Sequence, residues 1–305
     1  SACFVLPIED SLAHIFETLK YTALIHQSGG GTGFNFSDLR PKGDLISSTK
    51  GISSGPVSFM KVYDLATEKV KQGGKRRGAN MGILNVNQPD IEAFIRSKSD
   101  KKSLENFNIS VGVTDDFMHA VKHDMEWQLI SPRTKKTTKK LKAKALWNLI
   151  VNEAWKTGDP GLIFLDTINT TNPTPKLGTI KATNPCGEVP LLNYESCNLG
   201  SINLSKMTIQ KKRVTTIDWD KLEKTVHLAI RFLDNIITLN HYLIPEIKKI
   251  TIGNRKIGLG VMGWAELLFL LEIPYASDQA VVLGEKLIKF IKDVSYQASR
   301  ELAIE

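Results

Sequence analysis

Cysteine is scarce in this sequence, which has three in 305 residues and no CxxC pair. So few cysteines cannot build the disulfide framework of a small secreted domain. An odd number of unclustered cysteines is typical of a reduced protein whose thiols are either buried or used in chemistry. The sequence therefore predicts a cytoplasmic location, and each cysteine becomes a candidate for a chemical role.

Long hydrophobic runs and a signal-peptide pattern are also missing, so the sequence predicts no membrane association. Hydrophobic residues make up 42% of the chain and charged residues 24%, as in ordinary globular proteins. Lysine and arginine number 40 against 32 aspartates and glutamates, which gives a formal net charge of +8. This excess favours anionic partners, either nucleotide phosphates or nucleic acid.

The densest basic run covers residues 133–144 and contains no aromatic side chain that could stack on a base. It lies between a predicted strand at 126–130 and a predicted helix that begins near Ala143. We interpret the run as a solvent-exposed connection, which argues against a direct nucleic-acid partner. A basic nucleic-acid-binding protein remains an alternative function.

Helical and strand patterns alternate along the whole sequence, which indicates an α/β fold with mostly parallel strands. No internal repeat or change in composition marks a boundary, so we predict one domain over residues 1–305. The predicted helices include 11–27, 56–72, 115–122, 143–157 and 219–239, and the predicted strands include 82–86, 107–113, 161–165 and 256–261. The six histidines show no HExxH or HxxEH spacing, so no metal site is expected.

The segment Asn184-Pro185-Cys186-Gly187-Glu188 places an amide, a thiol and a carboxylate within five residues. Radical reduction of an alcohol requires a group that abstracts a hydrogen atom, a group that accepts a proton, and a dithiol that supplies two electrons. Cys197 and Cys3 are the remaining thiols. In an extended backbone, residues two apart project to the same side. We therefore predict that the amide, thiol and carboxylate face one substrate.

This segment resembles the active site of the ribonucleotide reductase catalytic subunit, most closely its adenosylcobalamin-dependent class II branch. The resemblance continues to the C-terminus, including residues 198–204 and 255–263. It implies part of a ten-stranded α/β barrel with the radical cysteine on a central loop. The chain has no initiator methionine, and it ends within a helical pattern. We therefore expect a fragment in which the family's N-terminal region and the C-terminal half of the barrel are absent.

The resemblance implies a role for each group in the motif. Cys186 would hold the transient thiyl radical, and Glu188 would act as the general base at the 3′-hydroxyl. Asn184 would hydrogen-bond the substrate hydroxyls. Cys3 and Cys197 would form the redox pair that reduces the ribose and becomes a disulfide.

A glycine-rich run at 28–33 matches neither the P-loop nor the dinucleotide fingerprint, and by itself it could be a flexible hinge. The resemblance places this run beside the substrate. The residues it assigns to substrate binding are Ser1, Ala2, Gly30 and Gly31.

Three further parts of the chain resemble the family's allosteric specificity site. Asp10 matches the acidic residue that binds the deoxyribose of a dNTP effector, and Arg40 matches a phosphate-binding arginine on the first effector loop. Without the resemblance, Asp10 would be an ordinary helix N-cap and Arg40 an ordinary surface charge. The stretch 73–82 matches the second effector loop and contributes Lys75, Arg76 and Arg77.

The resemblance implies reduction of ribonucleoside di- or triphosphates to 2′-deoxyribonucleotides by thiyl-radical chemistry. The implied cofactor is adenosylcobalamin, with a radical from a separate dimetal subunit as the alternative. The implied partners are a ribonucleotide substrate, a dNTP or ATP effector, a thioredoxin-like protein or other dithiol as reductant, and a second copy in a homodimer. A non-catalytic dNTP-binding fragment is a further alternative.

Overall fold

Strands and helices alternate in the computed structural model, which describes residues 2–46, 51–70, 78–212 and 214–305, without the side chains of Cys197 and Lys211. The strands are β1 Cys3–Val5, β2 Gly31–Asn35, β3 Leu45–Ile46, β4 Gly51–Ile52, β5 Asn80–Asn85, β6 Phe107–Val113, β7 Glu126–Ile130, β8 Thr137–Lys142, β9 Gly161–Phe164, β10 Ala182–Thr183, β11 Pro190–Leu191, β12 Ser196–Asn203, β13 Thr208–Lys211, β14 Val214–Ile217 and β15 Ile257–Met262. The helices are α1 Leu12–Gln27, α2 Pro56–Lys69, α3 Ile91–Ile95, α4 Asp115–Lys122, α5 Ala143–Thr157, α6 Leu165–Thr170, α7 Trp219–Leu239, α8 Pro245–Asn254, α9 Trp264–Leu270 and α10 Asp278–Ile304.

The chain divides into two units. The N-terminal unit comprises Ala2–Ser196 with Tyr242–Ile250, and the C-terminal unit comprises Cys197–His241 with Thr251–Glu305. The sheet of the N-terminal unit has the strand order β1-β2-β5-β6-β9, and every neighbouring pair is parallel. The expected α/β fold with parallel strands is therefore confirmed.

An aromatic cluster fills the core on one face of this sheet. Phe34 on β2 meets Tyr63 on α2 edge to face, with ring centroids 5.2 Å apart. Phe36 and Phe107 pack against the same rings, and all four side chains are buried. The Tyr63 hydroxyl donates to the Ile15 carbonyl oxygen on α1 at 2.6 Å, so its one polar atom is satisfied inside the core. These contacts fix α1 and α2 to the sheet.

A chain of buried polar side chains runs beside this cluster. His26 Nε2 lies 3.1 Å from Thr32 Oγ1, which donates to Asn80 Oδ1 at 2.7 Å. Asn80 Nδ2 donates in turn to Thr67 Oγ1 at 2.9 Å. This series of hydrogen bonds joins α1, β2, β5 and α2. Buried networks of this kind are stable only while each polar group keeps its partner.

The C-terminal unit has its own core. Here β12 pairs in parallel with β15, from Asn198 opposite Ile257 to Asn203 opposite Met262. The two long helices α7 and α10 contribute buried side chains to one apolar cluster, whose members include Leu222, Val226, Ile230, Leu287, Ile291 and Val294. Each helix starts at a side-chain cap, because Asp218 accepts from the Lys221 amide and Ser277 accepts from the Ala280 amide.

Several predicted elements agree with the structure to the residue, including α4, α5, α7 and β6. Two interpretations need correction. The basic run at 133–144 is not a plain connection, because residues 137–142 form β8 and pair antiparallel with β7. Asp10 is not the N-cap of α1, because the Ser11 hydroxyl accepts from the His14 amide at 3.1 Å.

Across the described residues, every helix falls short of the length and apolar composition that a bilayer crossing demands.

The buried imidazole of His26 predicts a pH-dependent stability. Burial lowers its pKa from 6.5 to about 4, and the Ala79 backbone offsets part of this effect. The unfolded chain therefore takes up a proton near pH 6.5, whereas the folded chain does so only near pH 4. As a result, the free energy of unfolding falls as the pH decreases through this window, by about 2 kcal/mol between pH 7 and pH 5.

Urea unfolding at pH 7 and pH 5 measures this loss. The variant His26→Gln is expected to lose about 2 kcal/mol of the pH dependence. The control His119→Gln changes an exposed histidine on α4 and is expected to keep it. An unchanged pH dependence in His26→Gln would show that this histidine does not stay neutral in the fold.

Candidate active site

Cys186 lies in a tight hairpin rather than in a strand. β10 and β11 pair antiparallel, and residues 184–189 connect them. The Asn184 amide donates to the Val189 carbonyl oxygen at 3.2 Å, and the Gly187 amide donates to the Asn184 carbonyl oxygen at 3.1 Å. Gly187 has φ of +86°, a conformation in which glycine carries no steric cost.

This geometry corrects the expectation of an extended backbone at 184–188. In the turn, Asn184 is fully buried, whereas Cys186 and Glu188 are exposed. The Asn184 side chain accepts from the Val189 amide at 2.9 Å, so it closes the hairpin from inside. The thiol and the carboxylate are therefore both accessible, but not through the alternation of a strand.

The hairpin lies directly on the backbone of β2. A Cβ atom at Gly33 would stand 1.7 Å from the Thr183 carbonyl oxygen, and one at Gly31 would stand 2.6 Å from Pro185 Cγ. Two residues further along β2, Asn35 Nδ2 donates to the carbonyl oxygen at position 181 at 2.8 Å. Positions 31, 33 and 35 share one face of the strand, so the two glycines let the hairpin approach and Asn35 bonds to it on the same face.

A second strand holds the hairpin at its turn. Asn108 Nδ2, on β6, donates to the Pro185 carbonyl oxygen at 2.7 Å. Pro185 directly precedes Cys186, so this bond fixes the backbone next to the thiol. The roles of Asn108, Asn35 and Gly33 do not follow from the sequence, because each acts through a contact with a segment distant in sequence. The one local signal is an exposed asparagine at the second position of the otherwise buried strand β6.

The structure brings two of the predicted catalytic residues together. The Asn184 Nδ2 atom lies 3.7 Å from the sulfur of Cys3, a distance suited to an N–H···S hydrogen bond. The Ala2 carbonyl oxygen accepts from the Gly31 amide at 2.8 Å, which ties the segment before Cys3 to the start of β2. The buried Asn184 side chain thus closes the hairpin through its oxygen and contacts the Cys3 thiol through its nitrogen.

The predicted substrate-binding glycines have structural reasons of their own. Gly30 is buried, and a Cβ atom there would lie 2.6 Å from Ile25 Cγ2 and 2.8 Å from Phe4 Cε2. Gly31 lies under Pro185. Packing alone therefore explains both glycines, and their contact with a substrate stays a prediction.

The predicted effector residues Asp10 and Arg40 are paired with each other. Arg40 Nε donates to Asp10 Oδ2 at 2.9 Å, and the Arg40 backbone amide donates to Asp10 Oδ1 at 3.1 Å. Both side chains are about one quarter exposed, at 26% and 22%. Arg40 is therefore part of a partly buried ion pair and not an ordinary surface charge.

Several predicted residues lie outside what the structure describes. Cys197 belongs to β12, but its side chain is not among the described residues. Its pairing with Cys3 stays a prediction, as do the roles of four residues that are themselves not described: Ser1, Lys75, Arg76 and Arg77. Within the described part of the chain, no three His, Cys, Asp or Glu side chains come together as a metal site.

Comparison with known proteins gives consistent matches. The family model described as "Ribonucleotide reductase, barrel domain" matches residues 1–305. The vitamin B12-dependent ribonucleoside-diphosphate reductase of Thermoplasma acidophilum is 61% identical over 306 residues, which cover all of this chain and 40% of that protein. The protein of the same name from Mycobacterium tuberculosis H37Rv is 52% identical over 306 residues, again all of this chain and 43% of the relative.

A relative with lower sequence identity has a different name. The ribonucleoside-diphosphate reductase large subunit of Vaccinia virus is 33% identical over 337 residues, which cover 99% of this chain and 43% of that protein. The chain thus spans less than half the length of each of these three relatives.

The contact between β2 and the hairpin predicts that Gly33→Ala is destabilising. The new methyl group would collide with the Thr183 carbonyl oxygen, a backbone atom that moves only if the hairpin moves. We expect the free energy of unfolding to fall by about 2 kcal/mol, as in other overpacked cores, in urea titrations.

A matched control is Gly260→Ala on β15, where the nearest atom to the new methyl group lies at 3.6 Å. This change should alter the free energy of unfolding by about 0.5 kcal/mol or less. Equal stability of the two variants would show that the hairpin does not depend on the glycine at position 33.

Proposed function

The chain belongs to the ribonucleotide reductase barrel-domain family, and from that premise we propose that it is the catalytic-core segment of a ribonucleoside-diphosphate reductase. The observation that carries this proposal is the Cys186 hairpin. Its thiol is exposed at a turn, its neighbour Pro185 is held by Asn108, and its buried Asn184 contacts Cys3. The diphosphate level of the substrate rests on the names of the two relatives from Thermoplasma acidophilum and Mycobacterium tuberculosis.

In this proposal, Cys186 starts the reaction on the ribose. Its thiyl radical takes the hydrogen atom from C3′, so the S–H bond forms as the C–H bond breaks. Glu188 is exposed two residues later on the same turn and accepts the proton of the 3′-hydroxyl. The tight turn favours this division of roles, because it leaves both groups accessible on a backbone that hydrogen bonds hold in place.

The reduction itself falls to Cys3 and Cys197. The 2′-hydroxyl leaves as water after it receives a proton, and the two thiols supply two electrons as they join in a disulfide. Cys186 then returns its hydrogen atom to C3′. The overall change is ribonucleotide plus dithiol to deoxyribonucleotide, disulfide and water. The buried amide of Asn184 orients the Cys3 sulfur for this step.

The radical source that we propose is adenosylcobalamin, as the names of the relatives from Thermoplasma acidophilum and Mycobacterium tuberculosis suggest. One feature of the chain fits such a group, namely that the Cys186 thiol is open to solvent and so accessible to a large molecule above the turn. When bound, the cofactor supplies the one-electron oxidation that starts the reaction. The chain's own residues position the thiol.

The proposal includes further partners. A dNTP or ATP effector would bind near Asp10 and Arg40, where deoxyribose and phosphate would meet a carboxylate and a guanidinium. A thioredoxin-like protein or another dithiol would reduce the disulfide after each turnover. We propose a homodimer that acts in the cytoplasm.

Replacement of the thiol tests this function most simply. In a polypeptide that carries these residues within the full length of its relatives, Cys186→Ala should lower the rate of deoxyribonucleotide formation on the order of 10³-fold or more. Nucleotide affinity, measured by equilibrium dialysis, should stay within about twofold because the Cys186 side chain is exposed and its truncation leaves no buried cavity.

The Cys186→Ser variant serves as an isosteric control, since its hydroxyl keeps the size of the thiol but holds its hydrogen too strongly for radical transfer. It should be as inactive as the alanine variant. Substantial turnover in either variant would refute the radical role of Cys186.

A further inference from the structure

Four charged side chains from three segments form one cluster in the N-terminal unit. Asp10 precedes α1, Arg40 and Asp44 lie between β2 and β3, and Arg133 lies in the turn between β7 and β8. Arg133 Nε donates to Asp44 Oδ2 at 2.9 Å, and Arg133 Nη2 donates to Asp44 Oδ1 at 2.7 Å. This two-bond geometry is the strongest form of an arginine–carboxylate pair.

The turn that carries Arg133 is firmly held. The Ile130 amide donates to the Asn87 carbonyl oxygen at 2.7 Å, and Trp127 Nε1 donates to the Val86 carbonyl oxygen at 3.1 Å. Ser131 is buried, and its amide donates to the Lys136 carbonyl oxygen at 2.9 Å. The guanidinium therefore extends from a fixed backbone and not from a loose surface loop.

Asp44 occupies the base of the β3–β4 hairpin. Its carbonyl oxygen accepts from the Ser53 amide at 2.9 Å, and its carboxylate accepts from the Leu45 amide at 2.9 Å. Arg40 reaches the same place, because its Nη1 atom lies 3.4 Å from the Leu45 carbonyl oxygen. The Asp44 side chain is 17% exposed and that of Arg133 is 46% exposed, so water screens this pair in part.

Asp44 is thus a carboxylate beside an arginine that the proposed function assigns to an effector phosphate. If Asp44 had no partner of its own, it would attract Arg40 and compete with the phosphate. Arg133 supplies that partner. Hydrogen bonds from Arg133 also lower the pKa of Asp44, so the carboxylate stays ionised and paired at neutral pH.

We propose that Arg133 is a positioning residue of the effector site, which neutralises Asp44 and thereby keeps Arg40 in its place beside Asp10, where a nucleoside triphosphate would meet it. This inference rests on the proposed effector site at Asp10 and Arg40. It adds a third segment, the β7–β8 turn, to a site that the sequence assigned to loops elsewhere in the chain. Arg133 itself need not contact the nucleotide.

A double-mutant cycle tests the inference, with dATP and dTTP as probes and isothermal titration calorimetry as the measurement on the whole chain. Arg133→Ala should weaken binding about tenfold, because it leaves Asp44 unpaired beside Arg40. Asp44→Asn removes the competing charge and should change affinity by about twofold or less. The double variant should bind like Asp44→Asn, so the second change rescues the first.

Two further variants distinguish a positioning role of Arg133 from a general effect of positive charge in the turn. Lys136→Ala removes a positive charge from the same turn without touching the Arg133–Asp44 bonds, and it should bind like the unmodified chain. Arg133→Lys keeps the charge but not the two-bond geometry, and it should lose about threefold or less. Thermal unfolding of each variant checks that the fold persists, and Arg133→Lys replaces Arg133→Ala in the cycle if the alanine variant does not fold.

The outcomes distinguish failure of the proposed effector site from failure of the proposed role of Arg133. If the unmodified chain binds neither nucleotide, the effector site itself is refuted, and the inference with it. If the chain binds but the double variant stays as weak as Arg133→Ala, then Arg133 does not act through Asp44. An equal loss in Lys136→Ala would also overturn the inference, since it would reduce the effect to the general charge of the turn.

Discussion

The candidate site depends on one close contact, in which the cysteine hairpin lies on the bare backbone of β2. Gly33 has no side chain where the Thr183 carbonyl oxygen sits, and Gly31 has none under Pro185. The opposite face of the same strand carries Phe34, which is locked in the aromatic core. The aromatic core therefore fixes β2, and β2 in turn supports the hairpin. The hairpin then determines the position of Cys186.

Hydrogen bonds also hold the hairpin against the sheet. Asn35 and Asn108 reach from two strands to backbone oxygens of the hairpin, and Asn184 closes it from inside while it contacts Cys3. The Cys186 thiol, to which we assign the radical, is thus exposed on a backbone that is bound on several sides. Radical chemistry benefits from such an arrangement, because the reacting atom must be accessible while its position stays fixed.

Sequence patterns predict the local structure better than the site. The bounds of α4, α5 and α7 follow from caps and apolar periodicity, and the motif around Cys186 identifies the family. The geometry of the motif is predicted wrongly, because a turn closed by the Asn184 side chain replaces the expected strand. The Asn108–Pro185 bond joins positions 77 residues apart, and no local spacing encodes it. The Arg133–Asp44 pair escapes prediction for the same reason.

The most direct test of the central claim is an anaerobic assay of a polypeptide that carries these residues within the full length of its relatives. It receives a ribonucleoside diphosphate, dithiothreitol and adenosylcobalamin, and chromatography measures the deoxyribonucleotide formed. We expect product whose formation requires both the cobalamin and the dithiol. Product that forms equally well without cobalamin would contradict the proposed radical source, and no product with all components present would contradict the proposed function.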